Sequence, residues 1–230
     1  MKKVIVLTGA GISAESGLKT FRDSGGLWEG YEVTEVATPQ AWAANQELVL
    51  EFYNQRRKQA ISAEPNPGHF ALAELESHFE VTVITQNIDA LHEKSGSTDV
   101  LHLHGEISKV RSTSDPSLVY DLEGWELKQG DLCEKGSQLR PHIVWFGEAV
   151  PMIEPAIELA SQADIFIVAG TSLVVYPAAS LLDFVAAEIP KFIVDPKIPA
   201  INKSKNMYLF EEPASTGLPK IKEILIKDYL

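Results

Sequence analysis

The chain has 230 residues, 45% of them apolar, with 20 Lys and Arg against 32 Asp and Glu and a formal net charge of −12. That apolar content can build a substantial core in one domain, or one domain with an inserted module, while the negative charge disfavours nucleic acid as a partner and suits a basic protein or peptide better. A single cysteine, Cys133, excludes an internal disulfide and an all-cysteine metal cage; without a signal-like leader or an apolar run near the ~20 residues of a membrane span, a cytoplasmic setting away from membranes is expected.

The first predicted element is a short apolar strand at residues 4–7, which meets Gly9, Gly11 and Gly17 before an amphipathic segment that reads as a helix. Strand, glycine turn and helix suit a phosphate, because glycine lets the backbone come close and N–H groups at a helix start point at an anion. A purely structural turn remains the alternative. The turn lacks the third glycine and the acidic residue about 20 positions on that a hydride-transfer dinucleotide fold would supply.

Residues 23–39 read as a long functional loop. Residues 41–63 carry a helical pattern, closed by the Pro-rich stretch 64–68 as a hinge. A helix is expected over 69–79 and a β-branched strand over 81–85, which ends in Gln86, Asn87, Ile88 and Asp89. Another short strand, 100–103, leads to His104 and Gly105. Residues 107–139 are broken by Gly124, Gly130 and Gly136 and read as irregular structure or a small inserted module. Then follow a strand at 141–146, a helix at 153–161, a wholly apolar strand at 165–169 running into Gly170, Thr171 and Ser172, a helix at 177–187, strands at 191–194 and 207–210, and a closing helix at 218–226. Alternation of apolar strands with helices predicts an α/β fold, a Rossmann-like parallel sheet with helices on both faces.

Strand C-termini of a parallel sheet converge on one edge, so the glycine turn, residues 86–89, His104 and residues 170–172 could meet around one ligand. Asn87 and Asp89 also suit turn capping, and Thr171 and Ser172 a helix cap. His104 is the best general-base candidate, since imidazole titrates near neutrality; a structural histidine is the bland alternative. His102, two residues earlier, should face the other way.

These residues carry a resemblance. GAGIS at 9–13, TFR at 20–22, GGLW at 25–28, TQNID at 85–89, HG at 104–105, LRPHIVWFGE at 139–148 and GTSLVVYPA at 170–178 run in the order found in the sirtuins, the NAD-dependent protein lysine deacylases, which the chain resembles over nearly its whole length. The resemblance implies a large NAD-binding unit, roughly residues 1–36, 68–106 and 140–230, and a small module from insertions at roughly 37–67 and 107–139. It also implies that NAD is cleaved rather than reduced: an acyl-lysine carbonyl oxygen attacks the nicotinamide ribose and nicotinamide leaves. His104 then deprotonates a ribose hydroxyl, giving free lysine and O-acyl-ADP-ribose.

By position, the resemblance puts Asn87 and Asp89 at the nicotinamide end, with His104 as the catalytic set, and Gln86 near the ribose. Gly9, Ala10, Gly11, Ile12, Ser13, Thr20, Phe21 and Arg22 would surround the phosphates and leaving group, and Gly170, Thr171, Ser172, Asp195 and Ala214 the far side of the cofactor. Ile143, Val144, Phe146 and Gly147 resemble a segment that pairs with the substrate backbone as an added strand, opposite Val174 and Tyr176, a mode that asks little of the peptide sequence. Tyr53 and Arg56, three apart on one helix face, could grip a carboxylate. Such a pair resembles the sirtuin class that removes succinyl and malonyl groups, so acidic acyl chains are expected to be preferred, with some deacetylation.

Two features depart from the family. Most sirtuins hold zinc with two Cys-x-x-Cys pairs, but the corresponding region here offers Ser112, Asp115 and Cys133, so no zinc is expected. Asp195 stands where many members have Asn near the adenosine ribose, which would weaken NAD binding through a lost donor. The expected partners are acylated lysine peptides or proteins, not nucleic acid or membrane, and the chain is expected to be a monomer. The alternatives are an ADP-ribosyltransferase and a non-catalytic module that binds NAD or acyl-lysine.

Overall fold

The computed structural model describes residues 1–19, 30–199 and 205–230. β1 (Lys3–Thr8) runs into two short 3-10 turns, Ala10–Ile12 and Ala14–Ser16, rather than directly into a helix. Glycines at 9, 11 and 17 and serines at 13 and 16 leave too little helix propensity for more. Next come α1 (Val33–Val36), α2 (Pro39–Ala44), α3 (Gln46–Ser62) and α4 (Pro67–Leu75). The single helix expected over 41–63 is therefore two. Asn45 leaves helical geometry at φ −154 and its side chain accepts the Leu48 N–H, which starts a fresh helix.

β2 (Glu80–Thr85), α5 (Leu91–Lys94), β3 (Val100–His102), β4 (Gly105–Ser112), β5 (Val119–Asp121) and β6 (Leu139–Ile143) follow. The chain closes with α6 (Ile153–Ser161), β7 (Ile165–Ala169), a 3-10 segment Ala178–Phe184 where a helix is expected, β8 (Lys191–Val194), β9 (Met207–Phe210) and α7 (Ala214–Asp228). α7 starts four residues earlier than its pattern suggests and accommodates Pro219, with Ala214, Leu218, Ile221 and Leu225 all buried on one face.

Six strands form a parallel sheet in the order β3-β2-β1-β7-β8-β9. The fold is α/β and Rossmann-like. Its central strands are apolar throughout because both faces are covered: Val4, Val6, Ile165, Ile167, Phe192 and Val194 pack with α4 and α7, while Ile5, Leu7, Phe166, Val168 and Ile193 pack with α6 and the 3-10 segment. Strand order reverses between β1 and β7, and a doubly wound sheet binds its ligand at such a switch point.

The stretch 107–139, read as irregular structure or a small inserted module, contains regular structure. β5, β4 and β6 form an antiparallel sheet, against which α3 packs through Val49, Phe52, Tyr53 and the buried Ile107, Ile143 and Trp145. Buried Arg57 ties α3 to this sheet, donating to the carbonyls of Ile107 (2.6 Å) and Trp125 (2.8 Å). Cys133 donates to Ser112 Oγ at 3.3 Å, and Ser112, Ser114 and Ser137 continue the hydroxyl network at 3.2 and 2.7 Å. Among the described residues, no group of three or more His, Cys, Asp or Glu is arranged to hold a metal, and no helix is long and apolar enough to cross a membrane.

Candidate active site

At the switch point the loops after β1 and β7 interlock through their backbones. Gly9 N–H donates to Ala169 O at 3.0 Å, and Gly11 N–H donates to Gly170 O at 2.8 Å. A Cβ on Gly11 would lie 2.7 Å from Gly170 Cα, and one on Gly170, which has φ +64, would lie 2.3 Å from Ile12 N. The glycines thus bring backbone against backbone. Their N–H groups close the floor of the site and are not spare donors for a phosphate.

Polar side chains gather over this floor. Asn87 Nδ2 donates to Gly9 O (3.2 Å) and Ser13 Oγ (3.1 Å), and its N–H donates to Thr85 Oγ1 (3.0 Å). Ser13 Oγ donates to Asp89 Oδ2 at 3.1 Å, while Asp89 Oδ1 accepts the Leu91 N–H at 3.1 Å. Burial raises the Asp89 pKa against the lowering effect of those bonds. Gln86 Nε2 reaches across to Thr171 Oγ1 at 3.1 Å. Three strand ends therefore share one hydrogen-bonded cluster of amides, hydroxyls and a carboxylate. Such a donor and acceptor set fits ribose hydroxyls and a carboxamide.

His104 lies beyond β3, its Nδ1 3.0 Å from Gln86 O. A carbonyl only accepts, so Nδ1 carries the proton and Nε2 keeps its lone pair. Burial lowers the pKa, against a weaker raising effect of the Gln86 carbonyl. The ring is a neutral base with its tautomer fixed. Elsewhere on the rim, Ser172 is half-buried and Ala10 exposed. Asp195 is buried after β8 and accepts the Lys197 N–H at 2.9 Å. Ala214 is buried as the first residue of α7. Thr20, Phe21 and Arg22 lie outside the described residues, as does the motif at 25–28.

The segment after β6 passes beside the base, with Val144 N–H donating to His104 O at 2.9 Å. β6 ends at Ile143, and the strand expected to 146 gives way to a turn with Gly147 at φ 89. Phe146, Val174 and Tyr176 are exposed by 48%, 69% and 73%, large apolar groups that a bound chain would cover.

Tyr53 is fully buried and Arg56 half-buried, its guanidinium 5.8 Å from the Phe52 ring. Tyr53 OH accepts from Trp145 Nε1 at 3.1 Å. Burial raises the Tyr53 pKa, with Arg56 pulling the other way. Trp145 is itself held. Arg140 lies over its ring, 3.3 Å from the centroid, and grips Glu148 through two nitrogens at 2.6 and 3.1 Å, while Glu148 accepts the Trp145 N–H at 2.8 Å. Trp145, Arg140 and Glu148 are absent from the set that sequence reasoning selects. Paired charges at 140 and 148 flanking an apolar run were the available signal.

The Sir2 family model matches residues 9–177. The chain belongs to the Sir2 family. Among its Sir2 relatives, the NAD-dependent protein deacylase of Bacteroides thetaiotaomicron is 51% identical over 231 residues, covering 98% of this chain and 99% of that protein. The fold is similar to a Sir2 homologue solved in complex with NAD, at TM-score 0.88 and 39% identity over 98% of this chain and 90% of the other. It is also similar to Sir2 bound to acetylated peptide, at TM-score 0.79 and 29% identity over 96% and 92%.

Proposed function

We propose that this Sir2 chain removes acyl groups from protein lysines at the expense of NAD, and that it prefers short acidic acyl groups, succinyl and malonyl, over acetyl. The observation that carries the reading is His104, a half-buried neutral imidazole with Nδ1 committed to Gln86 O, on the sheet edge where Asn87 and Asp89 meet.

Bound NAD supplies an activated ribose from which nicotinamide can leave. Around it, we assign Asn87 and Asp89 to orient the nicotinamide end, Gln86 to a ribose hydroxyl, and His104 Nε2 to take a hydroxyl proton. Residues 9–13 form the floor on which the phosphates lie, their Gly9 and Gly11 N–H groups being committed to Ala169 O and Gly170 O, residues 20–22 take the phosphates, and Gly170, Thr171, Ser172, Asp195 and Ala214 the far side. The acyl-lysine peptide adds as a strand between Ile143, Val144, Phe146 and Gly147 on one side and Val174 and Tyr176 on the other, covering exposed apolar surface while main-chain groups pair. Arg56, half-buried, is the reachable half of the carboxylate grip; Tyr53 lies behind it. We also read the chain as a large NAD-binding unit with a small module, working as a monomer in the cytoplasm without nucleic acid, in keeping with its charge of −12.

The test is to incubate protein and NAD with matched acetyl- and succinyl-lysine peptides and to follow nicotinamide release and peptide mass, with His104→Tyr as control. Loss of the succinyl group at higher kcat/KM than acetyl, reversed by Arg56→Met, is the expected result. Equal or better acetyl turnover, unmoved by that substitution, removes the acidic preference, and ADP-ribose added to the peptide removes deacylation.

A further inference from the structure

His104 has a place in the proposed chemistry, yet the other histidine of the pair, His102, is held just as firmly. Its Nδ1 lies 3.0 Å from Asn87 O and its Nε2 2.7 Å from Glu93 Oε1, with the side chain 8% exposed. A carbonyl and a carboxylate both only accept, so the ring satisfies both when both nitrogens carry protons. Burial opposes that charge, but the Glu93 bond and charge raise the pKa overall.

The opposite face of the Asn87 residue is tied as well. Its N–H donates to Thr85 Oγ1 (3.0 Å), which accepts from Thr8 Oγ1 (2.8 Å), and Thr8 Oγ1 lies 3.0 Å from His92 Nε2. Since Thr8 spends its proton on Thr85, His92 Nε2 is the donor to Thr8. His92 and Glu93 are neighbours on α5. The N–H and the C=O of Asn87 are therefore both anchored, by separate routes, to one helical turn. Its backbone is fixed at both ends, and from that fixed base the Asn87 amide donates to Gly9 O and Ser13 Oγ.

We propose that His102, bridged to Glu93, is a positioning residue that fixes the Asn87 peptide and thereby the nicotinamide end of the site. This rests on the NAD-dependent reading above. The groups facing His102 are Glu93 and His92 from α5, Glu106 from β4 and Asp89 from the loop after β2, with Lys109 beside Glu93. As pH rises through the His102 pKa, one ring proton is lost and two acceptors are left in contact. The anchor is intact below that point and loosens above it.

Three variants test the inference. His102→Leu removes both bonds, and it is expected to raise KM for NAD and the Ki of nicotinamide about tenfold while KM for the acyl peptide stays within about twofold. His102→Asn puts an amide nitrogen near the place of Nδ1 and is expected to recover most of that loss. Glu93→Gln, at a side chain 40% exposed, should fold normally and move the alkaline limb of kcat/KM for NAD down by about one pH unit. Imidazole nitrogen shifts in the wild-type protein should show His102 doubly protonated at neutral pH whether or not the protein turns over. A neutral His102, an unmoved alkaline limb, indistinguishable Leu and Asn variants, or a parallel rise in both KM values would overturn it. Absence of NAD-dependent nicotinamide release by the wild-type protein would instead strike the functional reading itself.

Discussion

Tyr53 OH accepts from Trp145 Nε1, a bond that fixes the buried phenol behind Arg56. Trp145→Phe keeps a ring under Arg140 and deletes that N–H together with part of the buried indole. With a hydrogen bond worth about 1 kcal/mol, kcat/KM on a succinyl-lysine peptide is expected to fall about fivefold while acetyl turnover stays within about twofold; equal falls would make Trp145 a packing residue only. His104 yields a second expectation. Burial pushes its pKa below the ordinary histidine value, and the base form is the neutral ring, so kcat/KM should rise with pH through a point under about 6.5 and be flat by neutrality. A pH–rate profile with its acid limb above that value would contradict this. The sequence pattern places Asn87, Asp89 and His104 just past strand ends, and β2 stops at Thr85 and β3 at His102. His102 is expected to face away from His104, and the two rings do bond to different carbonyls, Asn87 O and Gln86 O; Leu103 and His104 lie in the turn after β3. Trp145 was missed because an indole in an apolar run looks like core.

Among the elements, the interlocked loops after β1 and β7 are the least tolerant of change. Gly170→Ala meets both a left-handed φ and a 2.3 Å clash with Ile12 N, and these together should cost about 3 kcal/mol, read by urea unfolding, with weaker NAD binding. The small module makes the opposite prediction. Its turns are joined by Cys133, Ser112, Ser114 and Ser137 through protein hydrogen bonds, so exhaustive chelation should leave Tm unchanged; a fall in Tm, or one zinc per chain by metal analysis, would contradict it. β4 and β5 escaped the sequence reading for a local reason. The register between β4 and β6 shifts between Gly105 and Val110, and such a bulge erases the two-residue alternation by which a strand is recognised. Asn45 hid the break between α2 and α3 in the same way, since one polar residue barely disturbs a helical pattern.

For the molecule as a whole, two histidines behind the site set its response to acid. His69 and His92 are fully buried with ring centroids 5.0 Å apart, and burial lowers the His69 pKa to about 4 and that of His92 well below its ordinary value. Unfolded histidines take up protons near pH 6.5, whereas these native ones resist until far lower. Stability is therefore full above that pH and is lost as pH falls toward 4, by roughly 3 kcal/mol from His69 alone. Urea midpoints measured from pH 7.5 to 4.5 should fall accordingly, and His69→Gln should flatten the slope. The apolar strands announced a covered parallel sheet. Their spatial order did not follow from the strand pattern, because which strands pair depends on contacts between residues far apart in the chain.

The meeting of Gly11 with Gly170 also has a thermodynamic consequence. The floor of the proposed nucleotide site is made from two segments separated by most of the chain, so it does not exist until β1 and β7 lie side by side. No partly folded form can hold the ligand by that floor. NAD should therefore stabilise only the complete fold, and the rise in Tm it produces with increasing concentration should follow simple mass action on the native state.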